Sequence, residues 1–436
     1  MHYDGSVPSL EQLQKMTDSI VHRGPDDAGI WHEDGIGLGF RRLSIIDLAE
    51  GHQPLCNEDG SVWIVFNGEI YNYKELRGML TAKGHQWKTN ADTEVIVHLY
   101  EEYGEQCVGH LRGMFAFAIW DRKKRQLFGA RDYFGIKPFY YVNTAEQFLF
   151  ASEIKALLQS GDVQRSVDVQ AFLNYLTFQY VPEPMTMFAN IRKLPPAHTI
   201  TVTADGKMSL NKYWDPAFSP LDRPFADIVE ELRARLADSV QYHMQSDVMR
   251  GCFLSSGIDS TAIAAHMRQI EPIKTFSVGF AGPLNENVYA QATAEALGTE
   301  HYSKIINRDE FVASLPKAVW HMDEPVADPS AIALYHLAKL AREQVAVVLS
   351  GEGADELFGG YRIYREPLAL KPIAWLPQAL KKALNGWIRK LPPFPGKNYL
   401  LRGTTPLEER FLGNAKIFTD DVKAEIVRLD AETLVN

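Results

Sequence analysis

A proline-punctuated stretch, KYWDPAFSPLDRPF at residues 212–225, separates two kinds of sequence that call for different folds. Before it, SVWIVFNGEIYN, GMFAFAIWDRKKRQLFGARDYFGIKPFYYV and QFLFASE are aromatic and β-branched segments broken by Gly, Asn and Asp, as antiparallel strands and hairpins require. Two helices interrupt them, Tyr73 to Lys83 and Asp92 to Tyr103, the second stopped by Gly104. Beyond the stretch, strands alternate with helices. A helix from Ala226 to Met244 leads to a buried strand ending Gly251-Cys252-Phe253-Leu254 and a helix beginning near Thr261. Strands IKTFSVGF, HYSKII and QVAVVLS follow, spaced by helices around Tyr289 to Leu297 and over 309–343. This alternation predicts a mostly parallel α/β sheet, with its ligand outside the carboxyl ends of the strands. The expected organisation is an α+β domain over 1–212, a linker over 213–225 and an α/β domain over 226–436.

At 436 residues, 46% hydrophobic and 23% charged, the chain can bury two sizeable cores. Its net charge of −10 argues against a nucleic-acid binder or an anionic-membrane binder. The basic run Arg122-Lys123-Lys124-Arg125 lies between two strand-like segments and reads as a solvated hairpin turn. Cys56, Cys107 and Cys252 are far apart and form no CxxC, which argues against a zinc ribbon or a disulfide framework and fits a reducing cytoplasm. No stretch reaches the ~18 apolar residues of a membrane span, and MHYDGSVPSL has neither the basic nor the apolar region of a secretory signal.

Two loops carry the chemistry of the second half. FLSSGIDSTAIAAH places Ser255-Ser256-Gly257-Ile258-Asp259-Ser260 between a strand and a helix N-terminus, a setting that suits an anion. No Gly-Lys-Ser/Thr follows, so it is not a Walker A loop. LSGEGADELFGGY likewise leaves the strand VAVVL and carries Ser350, Gly351, Glu352, Gly353 and Asp355. Small residues admit backbone amides to phosphate oxygens, and Asp259 and Asp355 can share a Mg²⁺. The plain alternative is a pair of turns in which Gly and Asp serve as caps.

LSSGIDS resembles the pyrophosphate loop S-G-G-x-D-S of the ATP pyrophosphatases, with Ser256 at the first glycine, and LSGEGADELFGGY resembles the second signature of glutamine-hydrolysing asparagine synthetases. The resemblance implies a carboxylate that attacks the α-phosphate of ATP, releasing pyrophosphate, and an acyl-adenylate that ammonia then resolves. It places Leu254 and Val278 beside adenine, and Ser255, Ser256, Gly257, Asp259, Ser260, Ser350 and Gly351 on the nucleotide. It also puts Asp259 and Asp355 on Mg²⁺ and gives Glu352 the part of a base toward ammonia. DEPVADPSA, residues 323–331, either lines the acid-substrate pocket or is a helix entrance at Asp328-Pro329-Ser330.

In the first half, SIVHRGPDDAG, RRLSIIDLAEGHQPL, FNGEIYNY and NADTEVI resemble the class II glutamine amidotransferase domain, an N-terminal-nucleophile αββα sandwich. The resemblance implies that Arg42 holds the α-carboxylate of glutamine, that Glu69 and Asp92 receive its α-ammonium, and that Asn67 with the amide of Gly68 forms the oxyanion hole. Alone, FNGEIYN also reads as a strand ending in an Asn-Gly turn. That family uses an N-terminal cysteine with a free amine, whereas this sequence begins Met1-His2-Tyr3, so a short Cys-led strand is expected to precede Met1 in the complete protein. A later lysine of the synthetase family has no match in 362–436, which end at AETLVN, so a C-terminal truncation is expected too.

The expected function is ATP- and Mg²⁺-dependent amidation of aspartate with ammonia from glutamine, by a cytoplasmic protein that takes small molecules, binds neither nucleic acid nor membrane, and forms a homodimer. Two alternatives stand beside it. One is a relative acting on another carboxylate, as β-lactam synthetases do; the other is a non-catalytic glutamine and ATP sensor.

Overall fold

The computed structural model describes residues 1–282, 285–411 and 417–427; the terminal AETLVN lies outside them. Its first half carries strands β1 (Asp27–Glu33), β2 (Ile36–Arg42), β3 (Leu55–Cys56), β4 (Val62–Ile70), β5 (Gly113–Asp121), β6 (Gln126–Arg131), β7 (Tyr140–Asn143), β8 (Phe148–Ala151), β9 (Arg192–Lys193), β10 (His198–Thr203) and β11 (Met208–Lys212). The helices there are α1 (Leu10–Asp18), α2 (Tyr73–Ala82), α3 (Asp92–Tyr103), α4 (Ile154–Leu158) and α5 (Val169–Phe178). Six strands form an antiparallel sheet in the order β11-β10-β6-β5-β4-β3, and residues 122–125 make the β5–β6 turn.

Side-chain alternation layers this half. Along β5, Phe115, Phe117 and Ile119 join Leu76, Leu80, Val95 and Leu99 of α2 and α3 in one core. Ala116, Ala118 and Trp120 point the other way, toward Ile36, Leu38, Tyr141 and Phe148 of β2, β7 and β8. Beyond those strands lie α1 and α4, with Leu13 against Gly37 and Ile154 and Leu157 packed on Val142 and Leu149. The layers run α-β-β-α, in line with the expected sandwich.

β4 runs straight through Asn67-Gly68, so the dipeptide is not a turn here. The reason is its partner. β5 pairs with β4 over its full length, from Val62 opposite Asp121 to Ile70 opposite Gly113, and a Cβ on Gly68 would lie 2.1 Å from Met114 O.

The second half holds β12 (Arg250–Phe253), β13 (Lys274–Phe280), β14 (Glu300–Ile306) and β15 (Val347–Leu349) in a parallel sheet ordered β14-β13-β12-β15. Its helices include α6 (Phe225–His243), α7 (Ile258–Ile270), α8 (Asn287–Leu297), α9 (Arg308–Met322), α10 (Ser330–Arg342) and α11 (Ala354–Phe358), with short helices following between 362 and 426. Val240, Met244, Cys252, Leu254, Ala264, Met267 and Ala294 pack on one face, and Phe276, Ala341 and Val345 on the other. α7 starts at Ile258, three residues before the expected Thr261, because extended Gly257 ends the loop and serves as its N-cap. Asp259 therefore stands in the first helical turn. Residues 213–224 carry neither helix nor strand, and among the described residues no helix is long and apolar enough to cross a membrane.

A Cβ at Gly113 would sit 2.2 Å from Glu69 O, within the β4–β5 ladder, whereas one at Gly109 meets open space. Gly113→Ala should cost about 1–3 kcal/mol in chemical denaturation, as overpacking does, while Gly109→Ala leaves the midpoint nearly unchanged. Equal midpoints for the two variants would contradict this register.

Candidate functional site

The strand alternation that buries Phe66 against α3 turns Asn67 and Glu69 toward the space between the sheets. A cavity of about 550 Å³ opens there, and small Ala116 and Ala118 help leave it empty. Arg42, Asn67, Gly68, Glu69 and Asp92 all line it, so the residues chosen from three separate sequence segments meet in one place, and Lys137 joins them.

These polar groups are unevenly satisfied. Asp92, the first residue of α3, accepts a 2.8 Å hydrogen bond from the Ile70 amide. Asn67 Nδ2 and Glu69 Oε2 are buried with no hydrogen-bond partner. Leaving such a group unpaired costs about 1–3 kcal/mol, and both atoms stand open to polar partners within the cavity. Burial pushes the Asp92 carboxyl up to about 6, and burial together with the Asp92 charge raises Glu69 well above the usual carboxylate range. Arg42 lies beneath Gly51, its Nη2 donating to Ile46 O at 3.0 Å and Asp47 O at 2.6 Å. Much of its fork is thus spent on backbone, and the guanidinium is held rigidly beside the two carboxylates.

Lys137 went unread in the sequence, although a lysine within the apolar run FGIKPFYY was the available signal. Burial, then the charge of Arg23, lower its ammonium pKa. Burial pushes the Cys107 and Cys252 thiols up to about 12, which makes both inert.

The second site lies where the strand order reverses. β12 is flanked by β13 and β15, its pairing with β15 running through Cys252 opposite Leu349. The loops that follow therefore leave neighbouring strand ends at a topological switch point, the usual place for a ligand in such sheets. They approach so closely that a Cβ on Gly351 would lie 2.8 Å from Ser260 N and 2.9 Å from Asp259 C. Ser260 Oγ accepts from the Ser255 amide at 3.1 Å and lies 2.8 Å from Ser255 Oγ, which in turn accepts from Gly257 N at 3.1 Å. Ser256 and Gly257 are exposed, and no side chain caps α7, so its first-turn N–H groups remain available. Leu254 is buried, its amide bonded to Phe276 O, and Val278 stands two residues further along β13. Asp355 falls in the first turn of α11, while Glu352 is exposed beside Ser350, whose Oγ is 3.5 Å from its amide.

Arg23, Glu153 and His321 line both the first cavity and an adjoining one of about 380 Å³ that reaches Asp323 and Glu324. Glu153 binds His22 Nε2 at 3.0 Å and Arg23 Nη1 at 3.1 Å. Asp323 pairs with Lys155 at 2.8 Å and Glu324 with Lys193 at 2.7 Å, so the start of DEPVADPSA fastens one half to the other. Its end is a helix entrance, Asp328 accepting from the Ser330 amide at 2.9 Å.

A family model described as a glutamine amidotransferase domain matches residues 2–214, and one described as asparagine synthase matches 231–422. The chain is 49% identical to asparagine synthetase (glutamine-hydrolyzing) 1 of Bacillus subtilis, over 96% of its own length and 66% of that protein's. A Mycobacterium bovis protein provisionally named asparagine synthetase (glutamine-hydrolyzing) is 45% identical, over 93% of this chain and 65% of that one. The chain thus spans just under two thirds of the length of these relatives. A Methanocaldococcus jannaschii protein, provisionally named asparagine synthetase (glutamine-hydrolyzing) 2, is 36% identical over 86% of this chain and 79% of its own. Covering that relative so fully, and matching both domain models in order, the chain belongs to the family of glutamine-hydrolysing asparagine synthetases.

Proposed function

We propose that the chain supports ATP-dependent conversion of aspartate to asparagine, with ammonia released from glutamine in its first half and used in its second. The observation that carries this reading is the cavity with unpaired Asn67 and Glu69, adjoining a passage that leads toward the second half.

In this reading Glu69 and Asp92 hold the α-ammonium of glutamine and Arg42 its α-carboxylate. Asn67 Nδ2 and the Gly68 amide stabilise the oxyanion formed when the thiol of the cysteine expected ahead of Met1 adds to the side-chain amide carbonyl; collapse breaks the C–N bond to release ammonia, and water hydrolyses the thioester to glutamate. Ammonia passes Arg23, Glu153 and His321, which border both cavities. Ser255, Ser256, Gly257, Ser260, Ser350 and Gly351 grip ATP, with Leu254 and Val278 at its base, and pyrophosphate leaves over the N-terminus of α7. Glu352 takes a proton from ammonia as it attacks the β-aspartyl-AMP carbonyl and AMP departs. Asp259 and Asp355, one in the first turn of each helix behind the interlocked loops, fit a Mg²⁺ that keeps waters and phosphate oxygens in its shell. Mg²⁺ supplies charge neutralisation on the phosphates.

A homodimer belongs to this reading, and light scattering would test it. The cysteines, free in the structure, agree with a cytoplasmic setting. A domain division at 1–212, 213–225 and 226–436 agrees with the irregular backbone of 213–224, and limited proteolysis there would test it.

The direct test supplies the chain with ATP, Mg²⁺, ammonium and aspartate. Asparagine, AMP and pyrophosphate in equal amounts are expected. AMP formed only with a different acid would favour the relative acting on another carboxylate. ATP binding with no AMP from any acid would favour the sensor.

Asp259→Ala should abolish Mg²⁺-dependent pyrophosphate release while leaving the melting temperature within a degree or two of wild type; retained release would overturn the metal assignment. Glutamine binding has a defined pH dependence. Below about pH 6 the Asp92 carboxyl is protonated in the empty native state and must ionise to receive an ammonium. Affinity should therefore rise as pH increases through about 6, by up to about tenfold per unit below that point for one linked proton. Calorimetry on Asp92→Asn should show weaker binding and a flatter pH profile; an unchanged profile would remove Asp92 from the site.

A further inference from the structure

Outside both sites, side chains from three segments of the first half converge on one point. Glu58 comes from the β3–β4 connection, His85 from the stretch after α2, and His98 and Glu101 from one face of α3. One donor atom from each lies within 4.8 Å of all the others. His98 Nδ1 is 2.9 Å from Glu101 and 3.6 Å from Glu58, and His85 Nδ1 is 3.5 Å from Glu58 and 3.7 Å from Glu101. Bonds of about 2.0–2.2 Å to a tetrahedral ion set neighbouring ligand atoms roughly 3.4 Å apart. The separations among His85 Nδ1, His98 Nδ1, Glu58 Oε2 and Glu101 Oε2 that share these atoms, 2.9, 3.6 and 3.7 Å, bracket that spacing.

The groups behind these atoms are arranged as a metal centre requires. His85 turns its other ring nitrogen to a further carboxylate, Nε2 lying 3.3 Å from Glu102, while His98 Nε2 faces Glu94 at 3.6 Å, beyond hydrogen-bond range. Ligating histidines are oriented almost without exception in the way His85 is. Glu94 is itself fixed by the Lys88 and Thr89 amides, both at 2.8 Å, and by Thr89 Oγ1 at 2.7 Å. Glu58 accepts from the Gln86 amide at 3.0 Å and Glu101 from Asn57 Nδ2 at 2.7 Å, each through Oε1. Their Oε2 atoms are left facing His98. The His98 ring is fully buried, and its Nε2 makes no hydrogen bond within the chain.

We propose that Glu58, His85, His98 and Glu101 form a structural site for a divalent cation of the zinc class. Two imidazoles with two carboxylates suit Zn²⁺ better than Ca²⁺ or Mg²⁺, which take oxygen shells. Two ionised carboxylates offset the ion's charge, and the partly exposed Glu58 and Glu101 give it an entry path. The ion clamps the β3–β4 connection and the exit of α2 onto the middle of α3. Asp92 of the glutamine-type cavity begins that same helix, about 9 Å away along the axis.

The full chain, stripped with a chelator and titrated with Zn²⁺ alone, should bind one equivalent and melt at a higher temperature. Co²⁺ in its place should give the visible absorption of tetrahedral nitrogen and oxygen ligation. His85→Ala and Glu101→Gln, both at partly exposed positions, should each weaken Zn²⁺ binding more than tenfold and abolish the Co²⁺ bands. Failure of the wild-type chain to bind Zn²⁺, or equal binding by both variants, would overturn the proposal and leave a cluster held by shared protons.

Discussion

The pairing of β4 with β5 is the constraint on which the first half rests. Its register, nine residues long, sends Ile64, Phe66 and Ile70 into the core under α3 and keeps Val65, Asn67 and Glu69 on the opposite face. A slip of one residue would exchange those faces, burying Asn67 and Glu69 among phenylalanines and exposing Phe66 to the cavity. The glycines set the tolerance: Gly68 and Gly113 lie where any Cβ would strike the backbone of the neighbouring strand. Core and cavity are thus two outcomes of the same ladder.

The second half uses a different device for the same end. Its sheet is parallel, so the loops after β12 and β15 emerge side by side, and the chain reversal between them opens a crevice that no single loop provides. Gly351 lets the loops interlock, and the two aspartates arrive in the first turns of α7 and α11. Ion pairs of Asp323 and Glu324 with Lys155 and Lys193 join this unit to the sandwich, and Asp323, Glu324 and Lys193 line the smaller cavity beside the first.

Much of this was legible in the sequence. α3 begins and ends where its pattern of acidic start and glycine stop placed it, and the alternating strands and helices beyond residue 225 matched the parallel sheet. Arg42, Asn67, Glu69 and Asp92 were traceable through resemblance, and the cavity they share depends on a sandwich that no local pattern reveals. α7 starts earlier than its sequence pattern predicts because Ile258-Asp259 looks like loop, while the cap is set by the backbone of Gly257. The β1–β2 hairpin escaped notice because its glycines interrupt the alternation. The Glu58, His85, His98 and Glu101 cluster was invisible for another reason: its members come from three segments brought together only by the packing of α2 and α3. Cysteine spacing, the usual guide to zinc, says nothing of such a set.

The unpaired atoms of Asn67 and Glu69 burden only the empty protein, since a bound ligand that meets them removes the penalty. Occupancy and folding are therefore linked, and any molecule that fits the cavity shifts the equilibrium away from the unfolded state. A chain that lacks its ligand opens more often and is cleaved sooner, because degradation tracks the population of open forms. On the proposed reading, filling the first cavity would therefore hold the chain closed more firmly than leaving it empty.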